Sequence, residues 1–188
     1  MKQHSILFSG PMVCALLERR KTQTRRMSTT WLKVKAGDLL WVKETFCRKL
    51  GDGVRQYNGD GTGHLWFRAS NPDVLAVDDD GFQRYRKDGH QASPWTSPLL
   101  MPRRYSRITL LATEDARLER LRDITEADAA AEGVQLTDDR TGCAEDANSN
   151  YGKAYRNLWN SLHGKFSPWE GNPEVARIAF EVWKVNDG

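Results

Sequence analysis

The hexapeptide Lys21-Thr22-Gln23-Thr24-Arg25-Arg26, preceded by Arg19-Arg20 and followed by Gly37-Asp38-Leu39-Leu40-Trp41-Val42-Lys43-Glu44, decides how this chain is read. Five of the eight residues 19–26 are cationic. Upstream, Ile6-Leu7-Phe8 predicts a short strand. Ser9-Gly10-Pro11 then predicts a helix start, with Ser9 at the cap and Pro11 in the tolerated first turn. Met12, Val13, Leu16 and Leu17 fall on one helical face, so residues 11–19 read as a short core helix that delivers the basic stretch at its end. Downstream, Ala36-Gly37-Asp38 is a turn signal and Leu39-Leu40-Trp41-Val42 a strand.

Working outward, the charge is uneven. Residues 1–49 carry 11 Lys/Arg and 3 Asp/Glu, and the remaining 17 and 22 lie beyond, so a front of +8 precedes a remainder of −5. Such a front favours a polyanionic or phosphate-bearing partner, although a solvated basic loop explains the same composition. The chain has 188 residues, 39% of them hydrophobic, with seven Trp and six Phe, enough for one folded domain over residues 1–188. No apolar run approaches the ~20 residues of a membrane helix. Three distant cysteines without a CxxC pair argue against a disulfide framework or a cysteine metal site, and a reducing cytoplasm is the expected setting.

Residues 49–98 differ from the rest. Gly51, Gly53, Gly59, Gly61, Gly63, Asp78-Asp79-Asp80-Gly81 and Asp88-Gly89 punctuate them, with short strands expected only at Leu65-Trp66-Phe67-Arg68 and Gln83-Arg84-Tyr85-Arg86. The stretch reads as an insertion with one or two hairpins. Its Asp-rich turn lacks the spacing and closing Glu of a calcium loop. Further on, 106–113 predicts a strand, and Thr125 with Asp128 caps a helix over 127–132 that Gly133 stops. A polar loop covers about 137–150. Tyr151, Tyr155, Leu158 and Leu162 mark a last helix, and Ala176, Ile178, Phe180 and Val182 a closing strand. Short strands with short helices between them predict an α+β or small-barrel fold.

The familiar catalytic motifs are absent, and His4, His64, His90 and His163 are scattered, each more simply surface or structural. The chemistry therefore rests on the basic stretch. In an extended chain Thr24 and Arg26 share a face, and Lys21 joins them only if the chain turns at Lys21-Thr22. A lysine of lowered pKa is a base, a threonine hydroxyl a nucleophile or donor, and an arginine a clamp for an oxyanion or phosphate.

These residues resemble the ASCH domain family, relatives of the PUA RNA-binding fold. The family signature Gly-x-Lys-x-x-Glu-x-Arg, with Thr replacing Glu in some members, places its Lys at Lys21, its Thr at Thr24 and its Arg at Arg26. The signature Gly is Arg19 here, at a position suited to a helix end with positive φ. Leu100-Met101-Pro102-Arg103, 106–110, 123–134, Leu158-Trp159-Asn160-Ser161 and Trp169-Glu170-Gly171-Asn172-Pro173 are similar to the layout of ASCH-like proteins common in phages and prophages. The resemblance touches both ends of the chain and skips 49–98 and 137–150.

The resemblance implies a small, mostly antiparallel β-barrel with flanking short helices and a cleft lined by the signature. One small bacterial member removes the acetyl group of N4-acetylcytidine with a Lys, a Thr and a Glu. The first two match Lys21 and Thr24, and the Glu falls on Glu132 when Thr125-Glu126 is aligned. Other members bind nucleic acid, and at least one is a ribonuclease. The expected catalytic set is thus Lys21, Thr24 and Glu132, without metal or cofactor. Amide hydrolysis needs a nucleophile, a proton for the leaving amine and an oxyanion partner, which these residues and Arg26 can supply. Glu132 also reads as a surface carboxylate, yet a negative charge at a helix end is disfavoured by the dipole and asks for a partner such as Lys21 or Arg26. Arg25, Arg26, Arg103, Tyr105 and Trp41 are the expected substrate contacts. Trp66, Tyr85 and Trp95 are further stacking candidates, although most of these aromatics should be core. The expected partner is a modified nucleoside, RNA or a single strand. A non-catalytic nucleic-acid module and a ribonuclease stay open beside the hydrolase.

Overall fold

The computed structural model describes residues 1–48, 65–70, 95–136 and 150–186. Its chain order is β1 (Gln3–Leu7), α1 (Gly10–Leu17), β2 (Gln23–Arg26), β3 (Leu39–Lys43), β4 (Phe46–Arg48), β5 (Leu65–Phe67), β6 (Ile108–Ala112), β7 (Arg117–Arg120), α2 (Glu126–Ala131), α3 (Tyr151–His163) and β8 (Glu174–Val185). The fold is α+β, a curled mixed sheet with a few short helices.

The twelve-residue β8 is the spine. Its C-terminal half pairs antiparallel with β6, with a register shift between Thr109 and Leu110. Its N-terminal half pairs with β7 and with β2. The order β1-β3-β6-β8-β2 leaves β1 and β2 at the ends of the sheet. The expected strands at 39–43, 106–113 and 176–184 are thus neighbours in one sheet. One pairing departs from the antiparallel majority. β1 and β3 run parallel, Ile6 opposite Val42, because α1 and β2 lie between them and return the chain in the same sense. β4 and β5 form a separate antiparallel pair. The expected strand at 83–86 and nearly all of the polar loop at 137–150 lie outside the described residues.

Alternation explains the main core. Leu40 and Val42 of β3, Ile108, Leu110 and Ala112 of β6, and Ile178 and Phe180 of β8 are buried against Val13 and Leu16 of α1. Each buried Val, Leu, Ile or Phe side chain contributes about 1.5–3 kcal/mol by leaving water. A second cluster joins α2 and α3 to the lower end of β8 through Ala129, Ala154, Tyr155, Trp159 and Val175. Glu126 ties the two helices, its carboxylate accepting from the N–H groups of Tyr151 (2.9 Å) and Gly152 (3.0 Å) at the N-terminus of α3. A third, small cluster holds Phe46, Phe67, Met101 and Tyr105.

Two helix ends set the path of the chain into β2. α1 stops in a Schellman arrangement: Arg19 N–H reaches Leu16 O at 3.0 Å and Arg20 N–H reaches Ala15 O at 2.9 Å. The residue in the left-handed position is Arg19, at φ 58°, where glycine is usual. Ser9 occupies the N-cap position in extended conformation, but its side chain makes no capping bond. α2 has the expected capping box between Thr125 and Asp128 and ends at Glu132, followed by Gly133 at φ 81°. A Cβ on Gly133 would lie 2.8 Å from the Cβ atoms of both Ala15 and Lys21, so only glycine lets the end of α2 abut this chain.

Candidate active site

β2 has the sequence Gln-Thr-Arg-Arg and no apolar residue, yet Gln23, Thr24 and Arg25 are buried. A strand of this composition is stable inside only if polar partners meet it. α2 and the ends of β7 and β8 supply them. Gln23 Nε2 donates to Asp128 O (2.6 Å) and Oδ1 (3.0 Å), and Gln23 Oε1 accepts from Arg177 Nε (2.7 Å). Arg25 Nε donates to Glu119 (2.6 Å) and its Nη1 to Glu132 Oε1 (3.1 Å).

The chain turns at Glu18-Arg19, two residues before the expected Lys21-Thr22. Lys21 N–H donates to Ala15 O (3.1 Å), Thr22 N–H to Ala131 O (2.8 Å), and Thr22 O accepts from Phe180 N–H (2.8 Å). The chain is thereby clamped among α1, α2 and β8, and the Lys21 side chain turns inward. Lys21 is 2% exposed and Glu132 3%. Lys21 Nζ donates to Glu132 Oε2 at 2.9 Å and to Glu132 O at 2.7 Å. The carbonyl contact answers an unpaired group at the end of α2, and the carboxylate has the cation that the dipole argument required. The second cation on Glu132 is Arg25, not Arg26. The reason is the pleat. Arg25 and Arg26 lie on opposite faces of β2, and only Arg25 faces α2.

Arg26 points across the gap between the sheet's two ends. Its Nη2 donates to Leu7 O at the end of β1 (2.7 Å), and its guanidinium lies 5.0 Å from the Phe8 ring centroid. Lys21 Nζ approaches the same ring at 5.4 Å. In this seam lies a cavity of about 230 Å³, somewhat under the ~300–1,000 Å³ usual for drug-sized ligands. Buried Lys21, Thr24, Arg25 and Glu132 form part of its wall. Leu7, Phe8 and Met12 line it from β1 and α1, and Tyr155, Leu158, Trp159, Leu162 and His163 from α3. The hydroxyl of Thr24 donates to no described group.

Burial dominates the electrostatics. It pulls the Lys21 ammonium below its ordinary pKa, opposed by Glu132. It also lowers Arg26, again against Glu132. The Tyr155 phenol is pushed well above its usual value by burial and then by Glu132. His163 is lowered by burial and then by the charge of Arg26. A buried lysine with lowered pKa, a hydroxyl and a carboxylate on one cavity can activate a nucleophile and move a proton.

The cavity thus brings together Lys21, Thr24, Glu132, Arg25 and Arg26. It does not include Arg103, Tyr105 or Trp41. Arg103 is exposed, and Tyr105 is buried in the third cluster, 5.9 Å from Phe46, where its ring serves as core. Trp41 sits on the sheet face opposite Leu40 and Val42, with Lys43 Nζ 5.5 Å from its ring. The backbone of Trp66 is part of β5, and Tyr85 lies outside the described residues. His163, like Tyr155 and Trp159, is a cavity residue that sequence reasoning passed over as part of the site. The signal was the spacing of Tyr155, Trp159 and His163, each one helical turn from the last; the His163 and Trp159 rings are 4.5 Å apart. Among the described residues no group of three or more His, Cys, Asp or Glu could hold a metal ion, and no helix is long and apolar enough to cross a membrane. No family model matches the chain, and no curated protein or solved structure matches it.

Proposed function

We propose that this cavity recognises a nucleobase or nucleoside and hydrolyses an acyl amide on it, of the N4-acylcytidine kind, within an ASCH-type, PUA-like barrel. The observation that carries the reading is the buried Lys21–Glu132 pair with the Thr24 hydroxyl on the same small cavity. The curled mixed sheet with its short helices supports the barrel assignment at the level of architecture. A volume of about 230 Å³ suits one small ligand better than a strand.

In this reading Thr24 Oγ1 attacks the amide carbonyl carbon while Lys21, in its neutral form, takes the hydroxyl proton. The C–N bond then breaks, and the proton passes to the departing exocyclic nitrogen. Water cleaves the acyl-threonine to a carboxylate and restores both residues. Glu132 holds Lys21 in place and carries the compensating charge. Because burial lowers the Lys21 pKa, turnover should rise with pH over a range below that of an ordinary lysine.

A specific observation favours a second reading, binding without catalysis. Both Lys21 bonds run to Glu132, the pattern of a protonated structural strut. The test is incubation of the purified protein with N4-acetylcytidine, following cytidine release by chromatography. Hydrolysis abolished by Thr24→Ala and by Lys21→Ala, partly kept in Thr24→Ser, is the expected result. Absence of hydrolysis together with retained nucleoside binding selects the second reading.

A further inference from the structure

The cations of the cavity are not treated alike. Lys21 faces Glu132 at 2.9 Å, and Arg25 faces Glu119 at 2.6 Å and Glu132 at 3.1 Å. Arg26 has no carboxylate within ion-pairing distance among the described residues. A guanidinium carries five N–H donors. That of Arg26 makes one hydrogen bond, to the Leu7 carbonyl at 2.7 Å, and its Nε is buried without an acceptor. Its guanidinium carbon lies over the Phe8 ring, 5.0 Å from the centroid, a cation–π contact. Leu7, Phe8, Met12 and Leu158 give the cavity that Arg26 lines an apolar surface, where a charge interacts more strongly than in water.

We propose that Arg26 forms an oxyanion subsite in the seam cavity, taking a carboxylate or phosphate monoester group of the bound ligand. The bond to Leu7 and the contact with Phe8 tie the two sheet ends but use little of the guanidinium's donor capacity. A carbonyl acceptor alone leaves a partly buried guanidinium mostly unsatisfied, and an oxyanion presenting two acceptor oxygens is its natural complement. Nor does Arg26 belong to the network of β2 and α2, from which the pleat turns it away. The subsite rests on this arrangement of charge and not on the hydrolase reading. The two meet in one respect, since hydrolysis of an acyl amide releases a carboxylate in the same cavity.

The structure provides its own reporter. His163 lines the cavity, and the charge of Arg26 acts on it; Lys21, Arg25, Glu132 and Tyr155 are the other titratable groups facing the same space. An oxyanion on Arg26 offsets that charge and makes His163 easier to protonate. The experiment is an NMR titration of the His163 ring in the full chain at constant ionic strength, with acetate, inorganic phosphate, cytidine 5′-monophosphate and cytidine as probes. A saturable upward shift of the His163 pKa with at least one oxyanion is expected. Its affinity should fall at least tenfold in Arg26→Gln and only partly in Arg26→Lys. In Arg26→Gln the His163 pKa should start higher and stay unresponsive. A response to acetate identifies a carboxylate subsite, and a preference for the monophosphate over cytidine identifies a phosphate subsite. The proposal is overturned if none of the three oxyanions shifts His163 saturably, or if Arg26→Gln responds like the wild type. Should Arg26→Gln fail to fold, Arg26→Lys and the monophosphate–cytidine pair in the wild type decide. Oxyanion binding without hydrolysis would remove the proposed activity and leave the subsite standing; hydrolysis without oxyanion binding would do the reverse.

Discussion

The core between α1 and the sheet and the core between β2 and α2 are buried to the same depth by opposite chemistry. In the first, Val13, Leu16, Leu40, Ile108, Leu110 and Ile178 are each 0% exposed. In the second, Lys21 and Gln23 are 2% exposed, Glu132 3%, Thr24 and Arg25 4%. The apolar core is a sum of non-directional terms, so each residue stands nearly on its own. The polar core is conditional. Every member is tolerable inside only while its partners are present. A chain that needed nothing from this region beyond stability would gain from apolar residues there. Keeping a lysine and a carboxylate buried beside a cavity points to use.

The largest expected effect separates the two cores at once. Glu132→Ala removes the shared carboxylate and leaves Lys21 and part of Arg25 without compensation. Breaking a buried pair from one side costs about 3–5 kcal/mol. Urea denaturation should show that loss near neutral pH, with a smaller loss for Glu132→Gln, which keeps hydrogen bonding. The pH dependence is the sharper part. With the Glu132 carboxylate gone, the main opposition to the burial that lowers the Lys21 pKa is lost, and only the carbonyl of residue 132 still accepts from the ammonium. The folded variant then sheds a proton that the unfolded chain keeps, so its stability rises with pH toward the ordinary lysine range. The deficit against wild type should shrink as pH rises. A deficit independent of pH would mean that the pair is not the reason for the loss.

Leu16→Ala is the counterpart in the apolar core. Leu16 is fully buried on α1 against the sheet, and its truncation should cost roughly 2–5 kcal/mol through lost transfer energy and the cavity left behind. This deficit should stay the same across the pH range in which that of Glu132→Ala changes. Parallel pH profiles for the two variants would mean that the two cores are held by the same kind of force.

The same contrast governs how much of the molecule is legible in its sequence. β3, β6 and β8 alternate apolar residues and read as strands, and the Thr125–Asp128 capping box and the stop at Gly133 are equally plain. β2 and β7 are not. Gln-Thr-Arg-Arg and Arg-Leu-Glu-Arg carry no apolar pattern, and β2 is buried only because Asp128, Glu119 and Glu132 arrive from elsewhere in the chain. The parallel pairing of β1 with β3 is hidden too, since periodicity marks a strand but not its neighbour. At the site, the unfavourable helix-end position of Glu132 correctly demands a cation. Choosing between Arg25 and Arg26 requires the strand's facing, which no local motif specifies. Tyr105 misleads because an aromatic between arginines looks the same whether it stacks on a base or on Phe46.

Lys21→Met tests whether the polar core is kept for stability or for use. Methionine preserves length and volume, and Glu132 retains Arg25 as its partner. Breaking a buried pair from one side costs about 3–5 kcal/mol, and because Arg25 still compensates Glu132 the loss should fall at or below the lower end of that range. Hydrolysis should disappear. A folded Lys21→Met protein with full turnover would reduce Lys21 to a strut and leave the amide chemistry without its base. Measuring turnover and the urea midpoint on one preparation separates the outcomes.

The smallest expected effect lies where the two cores join, at the end of α1. Arg19 holds φ 58° to complete the Schellman hydrogen bonds. A side chain in that conformation costs roughly 1–2 kcal/mol that glycine does not incur. Glycine in turn loses more backbone freedom on folding, by about 0.5–1 kcal/mol. The Arg19 side chain is exposed and forms no ion pair or hydrogen bond among the described residues, so Arg19→Gly forfeits no side-chain contact there. The net expectation is a gain of about 0.5–1 kcal/mol, read from the urea midpoint at unchanged slope. Because Arg20 and Lys21 come directly after it, the substitution also asks why a strained arginine stands there. If its charge helps gather an anionic ligand at the basic front of the chain, Arg19→Gly should slow association at low salt while leaving the bound-state affinity at high salt almost unchanged. A more stable protein that binds as fast as the wild type would show the arginine to be dispensable, and the turn into Lys21 to depend on backbone geometry alone.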